Sequence, residues 1–306
     1  MAMDFYKQIA DNKRMTLVLF LFFFVLIGIL AGIISFILGY AGYPFIGIFS
    51  ILGILIILFS VISYYTCDSI VTAISGAKET SPSDPSFKSL HNIVEELCIA
   101  SGLPKPRVFV INDSAINAFA TGRDPNHAVV CVTTGCLSRL SRDELQGVLA
   151  HELSHIKNYD VRTMTIASIL VGIAVLLSDL ILRMVFYSKF NSDNKNGAAI
   201  WIALVVVAIL LAVLTPLVAQ IINFSISRKR EFVADASSVE MTRNPLGLAS
   251  ALEKIGKDTE PLEAANKATA HLYISNPLKG QKLWMQSLFS THPPLEARIA
   301  ALKGMK

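Results

Sequence analysis

Ser141-Arg142-Asp143-Glu144-Leu145-Gln146-Gly147-Val148-Leu149-Ala150-His151-Glu152-Leu153-Ser154-His155 is the stretch on which the reading of this chain turns. It opens with the S-x-x-E form of a capping box, in which serine and glutamate satisfy each other's free backbone donors at a helix start. The box predicts a helix from about Arg142 to Asn158. His151 and His155 stand four residues apart on it, so they share a face and both imidazoles can meet one metal ion. Two ordinary core or surface histidines are the plainer reading. A helix expected on separate grounds runs through the motif, however, and that is the context an H-E-x-x-H match requires. Glu152 is placed beside the ion, where it can take a proton from a water rather than bind metal.

A catalytic zinc commonly keeps three protein ligands and leaves a fourth position for water, so a further ligand is needed. Glu231-Phe232-Val233-Ala234-Asp235 supplies two acids four apart, letting Glu231 bind metal while Asp235 orients a ligand histidine. A solvated acid pair next to Arg228, Lys229 and Arg230 is the competing account. Asp160, five residues past His155, is expected to point off that face and to serve as a cap or in a salt bridge. His91, His127 and His271 show no partner pattern and read as surface or interface histidines. Cys67, Cys98, Cys131 and Cys136 form no C-x-x-C pair, which fits small buried hydrophobes in a reducing compartment.

Around this core of polar chemistry the chain is apolar: 53% of its 306 residues are hydrophobic, 16% are charged, and the mean hydropathy is +0.54. Those values lie outside the range of a soluble domain. No Asp, Glu, Lys, Arg or His occurs from Met15 to Cys67, and about 20 apolar residues cross a bilayer core. A break at Gly39-Tyr40-Ala41-Gly42-Tyr43-Pro44 divides the run into two spans, with tyrosines suited to the headgroup level. The run is too long for a signal peptide, whose apolar core is about 7–15 residues.

A third segment, Met164 to Ser188, carries Asp179 and Arg183. Each charge costs ~3 kcal/mol at a helix centre against ~0.5 gained per large apolar residue, but pairing four apart and snorkelling favour a span. The fourth, Asn196 to Ser227, is free of charge, holds Pro216, and ends at Arg228-Lys229-Arg230. With Lys7, Lys13 and Arg14 before the first span, the positive-inside rule sets both termini in the cytoplasm. The basic residues sit beside hydrophobic segments without aromatic interleaving, so the formal charge of +4 points to membrane anchoring and not to nucleic acid. An even number of spans between His151 and Glu231 returns both to one side.

Between the membrane segments, residues 76–85 read as a polar linker and a domain starts near Ser86. Leu90, Ile93, Val94 and Leu97 predict a helix from Phe87 to Ala100, stopped by Gly102 and Pro104. Arg107–Ile111 and His127–Thr133 are β-rich runs. Asn117, Ala118, Phe119 and Ala120 are expected to form an edge strand beside the metal, with the alanines leaving one face open to an extended peptide. The alternative is a short connector within the sheet.

HELSH at 151–155, EFVAD at 231–235, Asn117-Ala118-Phe119-Ala120-Thr121-Gly122, and Phe289-Ser290-Thr291-His292-Pro293-Pro294 with Glu296, Ala297 and Arg298 together make the chain resemble the HtpX group of membrane-bound metallopeptidases, related to the CAAX prenyl proteases. That resemblance implies zinc on His151, His155 and Glu231, Glu152 as catalytic base, and polypeptide substrates drawn from misfolded membrane proteins. His292 has two readings, a group that stabilises the oxyanion or engages substrate with Arg298, and a turn into a final helix.

The expected fold class is a membrane α-helical protein of four transmembrane helices with an α+β zincin-like cytoplasmic catalytic domain. Its parts are a transmembrane hairpin (1–75), a first catalytic half (76–160), a second hairpin (161–227) and a second catalytic half (228–306). A zinc transporter would place its ligands inside the spans, and a structural zinc site would close with four protein ligands, so both fit less well.

Overall fold

The computed structural model describes residues 44–166, 201–202, 205–210, 228–263, 272–275 and 293–305, with scattered positions between 10 and 39. Those scattered positions are helical. Helix α1 (Phe45–Tyr65) starts directly after Pro44, whose missing N–H is no loss at a helix start. Its 21 residues average a hydropathy of 3.0 and none of its apolar window is buried against protein. Among the described residues it is the one helix long and apolar enough to cross a membrane. The third and fourth expected spans, with Asp179 and Arg183, lie outside the described residues for most of their length.

After a break at Thr66, α2 (Cys67–Ile74) leads into β1 (Lys78–Glu79), α3 (Lys88–Ser101), β2 (Arg107–Ile111), β3 (Ala118–Gly122) and β4 (Ala128–Thr133). Next come α4 (Thr134–Arg139) and α5 (Arg142–Lys157), then α6 (Arg228–Thr242), α7 (Pro245–Lys257) and α8 (Leu295–Lys303). The sheet order is β1-β2-β4-β3, with β2 and β4 parallel and both outer pairings antiparallel. Side chains alternate across it as the pleat requires: Val108, Val110, Ala118, Ala120, Val130 and Val132 join a core with α3, α5 and α7. Phe109, Ile111, Phe119, Val129 and Cys131 face the second core. Burial on both faces explains why β2 and β4 read as nearly continuous apolar runs.

Two expectations change. Residues 76–85 are not an unpaired linker: Lys78 and Glu79 pair with Val110 and Phe109 and make an edge strand. A two-residue strand of exposed charges is a common way to blunt an edge, and its polarity hid it in the sequence. Likewise β3 is an edge of the sheet but not an open one, since all five of its residues are buried.

The helix from Ser141 forms as predicted. Glu144 N–H donates to Ser141 Oγ at 3.4 Å and Ser141 N–H donates to Glu144 Oε2 at 2.7 Å. Along α5, Gly147 lets α7 approach so closely that a Cβ there would lie 2.7 Å from Leu248 N. Ser238 of α6 donates to the Gly147 carbonyl at 3.0 Å, so the same turn of α5 is held from two sides. Residues just beyond β3 and α5 also grip the end of α1: Arg123 donates to the Tyr65 carbonyl at 2.8 Å and Arg162 to the Tyr64 hydroxyl at 3.0 Å.

Candidate metal centre

On α5, His151 and His155 stack edge to face with ring centroids 4.7 Å apart, as a four-residue separation on one helix face predicts. Helix α6 brings Glu231, fully buried, against them: its Oε2 is 3.6 Å from His151 Nε2 and its Oε1 3.5 Å from His155 Nε2. Ligand atoms of the three residues all lie within 4.8 Å of one another. Asp235, one turn further along α6, meets His151 Nδ1 at 3.0 Å. Ala234 and Ser238 are buried with Glu231 and Asp235, so this stripe of α6 faces α5.

Asp160 departs from expectation. Its Oδ2 lies 3.0 Å from His155 Nδ1, while its Oδ1 is 3.5 Å from Arg230. The physical reason is the end of α5. Asn158 is its C-cap and Tyr159 takes φ 60°, a left-handed turn that swings Asp160 back beneath His155. Counting residues along a continuous helix misses this. The salt-bridge role is present as well, through Arg230.

Each histidine therefore directs Nδ1 at a carboxylate, which fixes the proton there and leaves Nε2 as a lone-pair acceptor. The two Nε2 atoms face each other at 3.2 Å. Two acceptors at that distance repel unless a cation or proton lies with them. Glu152, Asp160, Glu231 and Asp235 are all buried around the pair, and among the described residues Arg298 is the one buried arginine or lysine. The donor set, two imidazoles and a carboxylate in an electronegative pocket, fits a divalent ion such as zinc.

The same electrostatics move the histidine pKa values. Burial would lower that of His155, but its bond to Asp160 and the charges of Glu231, Asp160 and Glu152 outweigh it, pushing the value up to about 9. His151 is also raised: burial and Arg298 oppose charge on it, and Asp235 and Glu231 prevail.

Arg298, on α8, is fully buried. Its Nε and Nη2 reach Asp235 at 2.9 and 2.6 Å, Nη1 reaches Glu231 at 3.2 Å, and Nη2 stands 3.3 Å from both ring nitrogens of His151. In this arrangement it clamps the carboxylates behind the histidine. His292 and His271 lie outside the described residues. His91 is buried and bonded to Thr80 Oγ1 at 3.0 Å, whereas His127 is exposed and pairs with Asp124.

A narrow cavity beside the cluster is lined by Glu152 and both histidines, by Ala120 of β3, and by Val161, Met164, Leu272 and Ile274. Of the strand residues singled out from sequence, Ala120 reaches it. Asn117 precedes β3 and donates to the Ser275 carbonyl at 3.2 Å, and Ala118 O accepts from Ile274 N at 2.9 Å. Residues 272–275 were not recognised in the sequence. Their signal is a short apolar run, Leu272-Tyr273-Ile274, too brief to read as a strand.

Residues 85–306, which hold every member of this cluster, match Peptidase family M48. The chain belongs to peptidase family M48. M48 relatives named "Protease HtpX homolog" cover it almost end to end. That of Thermoanaerobacter pseudethanolicus is 44% identical over 304 residues, 98% of this chain and 97% of its own. That of Lactobacillus helveticus is 40% identical over 305 residues, 98% of this chain and 99% of its own. The crystal structure of S. mikatae Ste24p is similar in fold, with a TM-score of 0.51 at 19% identity over 90% of this chain. This M48 chain spans 62% of the Ste24p chain.

Proposed function

We propose that this M48 member is an integral membrane zinc endopeptidase that hydrolyses peptide bonds in polypeptides, in particular misfolded or damaged membrane proteins, and so serves quality control under stress. The observation that carries the chemistry is the pair of Nε2 atoms 3.2 Å apart, each histidine backed at Nδ1 by a carboxylate. His151, His155 and Glu231 would hold the ion. When bound, zinc supplies Lewis acidity that polarises a carbonyl and acidifies a water.

The remaining work falls to the chain. Glu152, in the cavity beside the histidines, would accept the proton of the attacking water on its carboxylate and deliver it to the departing amine nitrogen. Asp235 and Asp160 hold the Nδ1 protons and so keep both Nε2 atoms available. Arg298 keeps Asp235 and Glu231 in place with two short bonds and an ion pair. Burial of the cluster excludes bulk water, which strengthens each of these interactions.

In this reading four spans carry the catalytic halves and both termini on the cytoplasmic side of the cell membrane. A cysteine reporter at Asn194 labels from outside, and one at Lys303 labels only after permeabilisation. For the chemistry, the decisive experiment is zinc content together with casein cleavage by detergent-purified protein, with and without chelator. Glu152→Gln retains one zinc per chain and loses at least ~10³-fold in kcat, the scale of a positioned acid–base group. Retained turnover in a zinc-loaded Glu152→Gln protein removes Glu152 as the base.

A further inference from the structure

Residues 272–275 lie along the outer edge of β3, which ends the four-stranded sheet of the described residues. Tyr273 bridges Phe119 in antiparallel sense, Ile274 N–H donates to the Ala118 carbonyl at 2.9 Å, and the Asn117 side-chain Nδ2 donates to the Ser275 carbonyl at 3.2 Å. This register sets Leu272 opposite Ala120 and Ile274 opposite Ala118. In an antiparallel pair such residues share a face, and Leu272 and Ile274 line the cavity with Glu152, His151 and His155. Tyr273 turns the other way and packs edge to face on Phe119, centroids 5.0 Å apart.

An extended peptide adding itself to an exposed edge uses main-chain bonds for affinity and alternate side chains for specificity. Residues 272–275 do both, in the place such a peptide would take. With them seated, His151, Glu152, His155 and Glu231 are all at most 5% exposed, too enclosed for a scissile bond to reach. Among the described residues their pairing with β3 is the Phe119–Tyr273 bridge, and an extended peptide running the length of β3 has more backbone bonds to offer than that one bridge. Ala118 and Ala120 add no bulk on the catalytic face, and aliphatic side chains fill the space beside them.

We propose that residues 272–275 are an internal ligand of the peptide-binding edge, and that substrates are extended segments with aliphatic side chains at alternate positions which bind β3 by displacing them. The proposal rests on the endopeptidase reading above. It explains at once the burial of the catalytic groups, the small side chains of β3, and the two aliphatic residues aimed into the cavity.

The test locks the segment in place. Bridge partners lie within disulfide reach, so Phe119→Cys with Tyr273→Cys is made in the full-length, zinc-loaded protein. Cys131→Ser is added because Cys131 is the β4 partner of Phe119 and a free thiol. The oxidised form is expected to cleave casein at least 10-fold more slowly than the reduced form, which regains activity on reduction. Equal cleavage by both forms overturns the proposal.

A second variant, Tyr273→Ala, removes the anchor on Phe119. KM should fall several-fold with kcat held, and a Leu-Tyr-Ile-Ser peptide should inhibit it competitively while Asp-Tyr-Asp-Ser does not. A raised KM at unchanged zinc content and Tm makes the segment a fixed wall of the cleft and overturns displacement. If the parent protein, zinc-loaded, cleaves nothing, the endopeptidase reading fails instead.

Discussion

His151 and His155 carry the same device built in two ways. Asp235 supports His151 from another helix, and the fully buried Arg298 holds Asp235 in turn by two bonds of 2.6 and 2.9 Å. Asp160 supports His155 from five residues away, across the left-handed turn at Tyr159, and is held by Arg230 through a longer contact of 3.5 Å. The first support is long-range and locked from behind. The second is local and depends on a strained turn. Each imidazole is thus held only as firmly as the group behind its carboxylate.

The largest effect is expected when the locked side is broken. Asp235→Ala removes the partner of His151 and leaves Arg298 buried with one carboxylate fewer, the situation that makes broken buried pairs cost about 3–5 kcal/mol. Zinc affinity should fall ~10–100-fold and Tm should drop by several degrees, read by chelator competition and thermal melting. Asp160→Ala should lose zinc on a similar ~10-fold scale but with a smaller drop in Tm, because Arg230 retains some access to water, its side chain being 14% exposed. Equal drops in Tm would erase the distinction between the two supports.

Tyr159→Val tests the turn itself. A β-branched residue is a true outlier at positive φ, costing about 1–3 kcal/mol, and should shift Asp160 away from His155. Zinc affinity should decline with it, whereas Tyr159→Gly keeps the wild-type value. If Val and Gly bind zinc alike, the turn does not aim Asp160.

Arg230→Ala should be milder than either aspartate variant, within about threefold in zinc affinity, because its contact with Asp160 is the longer one, at 3.5 Å. A loss as large as that of Asp160→Ala would make Arg230 the true counterpart of Arg298.

The smallest effect belongs to a carboxylate at the other end of α5 that supports the helix and no ligand. Burial would raise the pKa of Glu144, yet Lys254, Ser250 and the Ser141 N–H together hold it down at about 2. A depressed acid contributes stability above its unfolded value near 4.3 and loses it as pH falls through the folded one. Wild-type Tm should therefore decline between about pH 5 and pH 2 with a component that Glu144→Gln lacks. At pH 7 the variant should melt a few degrees lower, for a loss of about 1 kcal/mol of capping, with zinc affinity unchanged.

How far the site was legible follows from where each contact comes from. Ser141, Glu144, His151 and His155 obey short-range rules of one continuous helix, and Glu231 and Asp235 obey the same four-residue rule on another. Asp160 was misplaced because its position depends on Tyr159 leaving that rule, and nothing in the residue type Tyr announces a left-handed turn. Lys78 and Glu79 were read as linker because an exposed, charged edge strand has the composition of a loop. Residues 272–275 escape a reading of the sequence because three apolar residues in a row gain meaning only from the β3 edge they cover.

By itself, then, the sequence determined the family, the two helices that bear His151, His155, Glu231 and Asp235, and the apolar segments, since each rests on periodicity or on spacing within one element. Only the tertiary structure decided that Arg298 closes the network behind Asp235 and Glu231, that Asp160 turns back to His155, and that residues 272–275 lie along the outer edge of β3. Those contacts join residues far apart in sequence or cross the end of a helix, and no local rule of spacing carries across either gap.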